Sequence, residues 1–181
     1  MPKGTVNRRE FLASGIAALV LGISERSFSQ SADPTDLSIT ASSRLIRSGA
    51  LSPSELVSAY FGRIRNLESR LNAFVTLTEE RAVTRALELE QELVSGKWRG
   101  PLHGIPIALK DNIDTAGVLT TAASAVFADR IPAADAEVVT RLKEAGAVII
   151  GKLNMHEFAY GATSAASHVG PVRNPWDIDV I

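Results

Sequence analysis

The chain reads as an α/β protein, a sheet covered by helices, and three observations point there. Two short apolar runs, Ile105 to Leu109 and Val148 to Ile150, are closed by turn signals and read as strands. Between them, Ala136 to Ala145 carries Val138, Val139 and Leu142 at helical spacing and stops at Gly146, so strand, helix and strand make a βαβ-like unit. Upstream, from Asp33 to Gly100, the periodicity is mostly helical.

The elements follow in order. Ile39 to Ser48 is a short helix ended by Gly49. Ser52-Pro53-Ser54-Glu55 is a helix start, with a serine cap, proline in the first turn and a glutamate three residues on. The helix it opens carries Leu56, Tyr60, Ile64, Leu67 and Leu71 on its expected inner face. Phe74 to Leu77 is a short strand. Glu79 to about Ser95 is a third helix with Ala82, Ala86, Leu89 and Leu93 on one side, ended by Gly96. Ile105 to Leu109 is expected to be buried on both faces of a sheet and to end on Lys110, where desolvation begins to disfavour a charge. Val118 to Ala125 is a loop whose Thr120, Thr121 and Ser124 hydroxyls are available to line a pocket. Asn154 to Tyr160 is a helical turn, and from Gly161 the chain is loop.

The N-terminal residues differ from the rest. Lys3, Arg8 and Arg9 precede an apolar stretch, Phe11 to Ile23, that is too short to span a bilayer and has the length of a signal-peptide core. Asn7-Arg8-Arg9-Glu10-Phe11-Leu12 resembles the twin-arginine export motif, and Ser29 and Ser31 allow cleavage after Ser31. The expected organisation is therefore a twin-arginine-like signal peptide over 1–31 and one domain over 32–181, exported to the periplasm or the exterior, with no stable membrane anchor after cleavage.

Composition bounds the chemistry. The chain has 181 residues, 45% hydrophobic and 22% charged, with a net charge of -1, enough apolar residues for a core and no electrostatic footprint for nucleic acid. It has no cysteine, which removes a thiol nucleophile, a thiolate metal site and a disulfide framework together. Gly146 to Lys152 has the spacing of a phosphate loop, but Leu153 stands where a magnesium-binding Ser or Thr is needed, and the intervening residues are apolar and β-prone. His156-Glu157 begins like a zinc-protease helix, yet Tyr160 occupies the second histidine position. His103, His156 and His168 show no metal-binding spacing and are expected as loop and surface residues.

Lys110 is the candidate functional residue. Ile107, Leu109 and Ile113 would lower its pKa by burial while Asp111 and Asp114 would raise it, and a strand-end ion pair is the alternative role. The stretch Gly100-Pro101-Leu102-His103-Gly104-Ile105-Pro106-Ile107-Ala108-Leu109-Lys110-Asp111-Asn112-Ile113-Asp114 resembles the first block of the amidase signature hydrolases. Thr120-Thr121-Ala122, Ala145 to Lys152, Asn154 to Ala159 and Gly170 to Trp176 resemble later blocks, in order, so that the resemblance covers about residues 36 to 179.

The resemblance implies the N-terminal part of the amidase signature fold, with a mixed sheet, and a serine, cis-serine, lysine hydrolase. Lys110 matches the lysine that serves as terminal base of that relay. It implies a small amide substrate, no cofactor or metal, no nucleic acid partner and a homodimer as one state of the intact enzyme. Both serines of the relay belong to a Gly-Gly-Ser-Ser-Gly-Gly block and the residues just after it, expected beyond Ile181, and Ser164 and Ser167 are no substitutes. The 181 residues are thus expected to be an incomplete, inactive piece. The alternatives are the A subunit of a tRNA-dependent glutamine amidotransferase, against which the Arg8-Arg9 leader speaks, and a non-catalytic remnant.

Overall fold

The computed structural model describes residues 33–180; the expected signal peptide lies outside the described residues. Its elements are α1 (Ile39–Ser48), α2 (Pro53–Leu71), β1 (Phe74–Leu77), α3 (Glu79–Val94), β2 (Pro106–Lys110), α4 (Glu137–Glu144) and β3 (Val148–Leu153), with single 3-10 turns at Pro34–Asp36, Ala125–Phe127 and Glu157–Ala159. The expected strands and helices are all present.

Local chemistry sets the helix ends. Ser38 caps α1 by accepting from the Ala41 amide at 3.2 Å, and Gly49 closes it in the left-handed conformation, φ 74°. At α2 the Ser52 hydroxyl accepts from the Glu55 amide at 3.1 Å while the Glu55 carboxylate accepts from the Ser52 amide at 2.8 Å, a complete capping box.

The described sheet has the order β1-β3-β2, with β3 antiparallel to β1 and parallel to β2. The parallel pair joined through α4 is the expected βαβ unit. Val57 and Phe61 of α2 and Ala82, Ala86 and Leu89 of α3 pack with Val148 and Ile150 of β3 into the main core cluster. Ile46, Leu56 and Ile105 form a second.

Three expectations are corrected. The strand enclosed most completely is β3, where Val148, Ile150, Gly151 and Lys152 are all buried; β2 flanks it, with Ile107 and Ala108 only partly buried and Lys110 exposed. The buried stripe of α2 runs through Leu56, Val57 and Phe61, while Tyr60, Ile64, Leu67 and Leu71 form its partly buried margin. On α4 the core residue is Val139, and Val138 is 48% exposed.

Both pairings of β3 are bulged, and the bulge against β2 has a consequence for the lysines. Pro106 pairs with Val148 and Ile107 with Ile149, then Ala108 skips to Gly151, so that Leu109 meets Lys152 and Lys110 meets Leu153. Continued without the skip, the register would set Lys110 directly against Lys152. Because neighbours in register share a face, the extra residue sends the two ammonium groups to opposite faces of the sheet.

Candidate functional site

Lys110 ends β2 on the same face as Leu153 and is solvent-exposed. Its side chain lines an open cleft of about 540 Å³ whose other walls include Leu153 to His156, Gly161 to Ser164 and Val172. The walls are pinned by Asn154. Its amide group donates to Asn72 O and Gly170 O at 3.0 and 2.9 Å, and its oxygen accepts from the Met155 amide and the Ser167 hydroxyl at 2.8 and 2.7 Å. Ser167 is thus a structural donor, and the Ser164 hydroxyl accepts from the Val172 amide at 3.1 Å.

On the other face, behind Lys110, lies a fully buried charged network. Lys152 is 0% exposed and donates to Ile113 O at 2.6 Å and to the Thr120 hydroxyl at 2.8 Å. Its ammonium stands 3.7 Å from Oδ1 of Asp111, a charge contact too long for a hydrogen bond. The other carboxylate oxygen of Asp111 accepts from the Thr121 amide and hydroxyl at 2.9 and 2.6 Å and from the Ala123 amide at 3.3 Å. Burial pulls the Lys152 pKa below its ordinary value, against the opposing pull of Asp111 and Asp114.

The desolvated lysine of this region is therefore Lys152, where the sequence reading expected Lys110. A lysine inside the run Val-Ile-Ile-Gly-Lys-Leu was the available signal, since a central strand flanked on both sides leaves such a residue no route to solvent. The loop hydroxyls are corrected as well. Thr120, Thr121 and Ser124 are buried and committed: Thr120 and Thr121 to the Lys152 and Asp111 network, and Ser124 to the Glu157 carboxylate, to which it donates at 2.6 Å.

The segment covering Asp111 is strained. Ala122 and Ala123 are consecutive residues at φ 53°, and the neighbouring Phe158 and Ala159 sit at φ 53° and 58°. The two left-handed turns are joined by the Phe158 amide donating to Ala122 O at 3.0 Å. Such conformations cost roughly 1–2 kcal/mol per residue and persist where surrounding contacts over-determine them, which is common at functional sites.

His103, expected at the surface, is 0% exposed. Its Nε2 donates to Leu89 O at 3.0 Å, its Nδ1 accepts from the Arg99 amide at 3.2 Å, and its ring stacks on Trp98 at 5.0 Å. Burial holds its pKa below 6.5, so the ring is a neutral cross-link between the end of α3 and the turn before β2.

A parallel strand that carries a lysine at its carboxyl end into an open cleft, backed by a strained loop, defines an α/β protein with a side-chain-lined site at the strand ends. The family follows from comparison. The amidase family model matches residues 55–181, and the chain belongs to the amidase family. It is similar to the A subunit of glutamyl-tRNA(Gln) amidotransferase from Carboxydothermus hydrogenoformans, 43% identical over 134 residues that make up 74% of this chain and 28% of that protein. The protein of the same name from Moorella thermoacetica is 45% identical over 137 residues, 76% of this chain and 28% of the relative. Among solved structures, the native peptide amidase from Stenotrophomonas maltophilia superposes with a TM-score of 0.73 at 37% identity, over 79% of this chain and 31% of that one. Fatty acid amide hydrolase superposes with a TM-score of 0.75 at 27% identity, over 80% and 26%. The chain thus spans about three tenths of the length of the curated relatives it matches.

Proposed function

We propose that this chain is part of an amide hydrolase in which Lys110 is the terminal base of a serine, cis-serine, lysine relay. The observation that carries the reading is the place of Lys110, at the carboxyl end of β2 and lining the open cleft, in a chain of the amidase family. In the relay the lysine amine, acting neutral, accepts a proton passed through the bridging serine from the nucleophilic serine. The serine oxygen bonds to the amide carbonyl, the C–N bond breaks, and the amine or ammonia leaves with the proton. Water then hydrolyses the acyl-enzyme. The 181 residues contain no Gly-Gly-Ser-Ser-Gly-Gly block, so a base stands here without the nucleophile that it would activate, and this stretch by itself is proposed to be inactive.

The test is ammonia release from a small linear amide and a C-terminally amidated peptide by the product of the whole open reading frame. Lys110→Ala lowers kcat by roughly a hundred- to ten-thousandfold. A variant that keeps the parent rate removes Lys110 from the mechanism.

A second reading is favoured by the names of the curated relatives. The whole protein would then be the A subunit of a glutamine-dependent amidotransferase acting on Glu-tRNA(Gln). Amidation of that tRNA with glutamine and ATP, and no hydrolysis of simple amides, would select it. Export is a further part of the first reading: Arg8-Arg9 and the apolar stretch after them support delivery by the twin-arginine route. A reporter fused after Ser31 reaches the periplasm if this holds, and retention in the cytoplasm returns weight to the amidotransferase.

A further inference from the structure

A second cavity, of about 280 Å³, shares no lining residue with the Lys110 cleft. Arg81 and Arg85, one turn apart on α3, and Lys143 of α4 face it, and no carboxylate is among its lining residues. Val118, Ala147 and Ile149 supply an apolar floor, of which Val118 and Ala147 are buried. Two of the three cations have partners: Arg85 pairs with Glu88 at 2.7 Å, and Lys143 with Asp135 at 2.6 Å. Arg81 has no carboxylate partner among the described residues. Its Nη1 donates to Ala116 O and Gly117 O at 3.3 and 3.1 Å.

Those two carbonyls anchor one nitrogen of the guanidinium, Nη1. Gly117 makes the fit possible, because a Cβ there would come within 2.9 Å of Arg81 Nη2, and the glycine sits at φ +67°. An arginine oriented by backbone, with free N–H groups and a second cation across the cavity, is preorganised for a planar or tetrahedral oxyanion. The volume lies just under the usual range for small-molecule sites, which suits a short molecule.

We propose that this cavity binds a small oxyanion, a carboxylate or phosphate group, with Arg81 as the principal contact, Lys143 as the second and the apolar floor taking the body of the molecule. Asp135 is the internal competitor: it holds Lys143 with one oxygen and accepts from the Ala116 amide with the other at 2.8 Å.

The test is an amide NMR titration of the full chain with inorganic phosphate and, separately, with butyrate, at constant ionic strength because unspecific surface binding is screened by salt. Saturable shifts are expected at Thr78, Arg81, Ala116, Val118 and Lys143. Arg81→Gln weakens binding by about tenfold, the worth of a charge-assisted contact. Asp135→Asn frees Lys143 and tightens binding severalfold, an effect of opposite sign that damage to the fold would not produce. Arg63→Gln, whose partner is the remote Asp36, changes nothing. Saturation by butyrate assigns a carboxylate ligand, and saturation by phosphate alone assigns a phosphoryl group. Shifts that grow linearly over the whole surface, or binding indifferent to both Arg81→Gln and Asp135→Asn, overturn the proposal.

Discussion

At the scale of single residues the molecule holds two lysines at neighbouring strand ends with opposite fates. Lys152 is sealed in with Asp111, so Lys152→Met leaves a buried carboxylate without its cation and is expected to cost about 3–5 kcal/mol. Lys110 is exposed, and Lys110→Ala is expected to change stability by no more than about 0.5 kcal/mol. Urea unfolding of the two variants checks the contrast, and equal losses would refute it. His103 adds a pH dependence. Its folded pKa lies below 6.5, so the unfolded chain binds the extra proton first, and stability falls as pH drops from 6.5 toward the folded value. His103→Gln should flatten the fall in stability below about pH 6.5, measured by denaturant midpoints. The histidine's role has no signal in the sequence: a lone histidine in a Gly/Pro-rich turn carries no sign that Leu89 and Arg99 will close around it.

At the scale of elements, much was legible because the deciding interactions are local. The Ser52 and Glu55 capping box needs only residues three apart, and it formed as read; Ser52→Ala should cost about 1 kcal/mol in thermal or urea unfolding. The helix faces were less legible. Phe61 lies deep in the core because the approach of α3 and β3 selects which side of α2 is covered, and periodicity alone fits more than one side. Gly151 shows the same limit in β3. A Cβ there would meet Thr76 O at 2.5 Å and the Phe74 ring at 2.9 Å, where β1 closes on the central strand. Gly151→Ala is expected to destabilise by about 1–3 kcal/mol, with loss of protection in β1 amides by hydrogen exchange. A neutral substitution would show that β1 can move away.

For the whole molecule, order should grade outward from β3. Its residues are flanked by strands on both sides and packed by α2 and α3, while most of 157–180 is partly or fully exposed. Hydrogen exchange of the full chain is expected to be slowest in β3 and the inner face of α3, and fastest between Gly161 and Val180. Uniform exchange would mean that the elements open together. The cleft joins both regimes, with Lys110 and Leu153 on the sheet and Gly161 to Ser164 on the outer segment. One wall of the proposed active site is therefore built on the central sheet and the other on the exposed outer segment, tied to it by the contacts of Asn154.

The amino-acid sequence by itself determined the α/β class, the order of helices and strands, the family resemblance and the location of Lys110 at a strand end. All of these rest on periodicity, caps and contiguous motifs, which are properties of neighbouring residues. Which lysine is buried was decided only by the tertiary structure. The single residue of β3 skipped in the pairing, Ile150 between Ile149 and Gly151, shifts the register of β2 with β3 by one position, and in a sheet one position exchanges the faces. That shift turns Lys152 toward Asp111 and leaves Lys110 facing the open cleft.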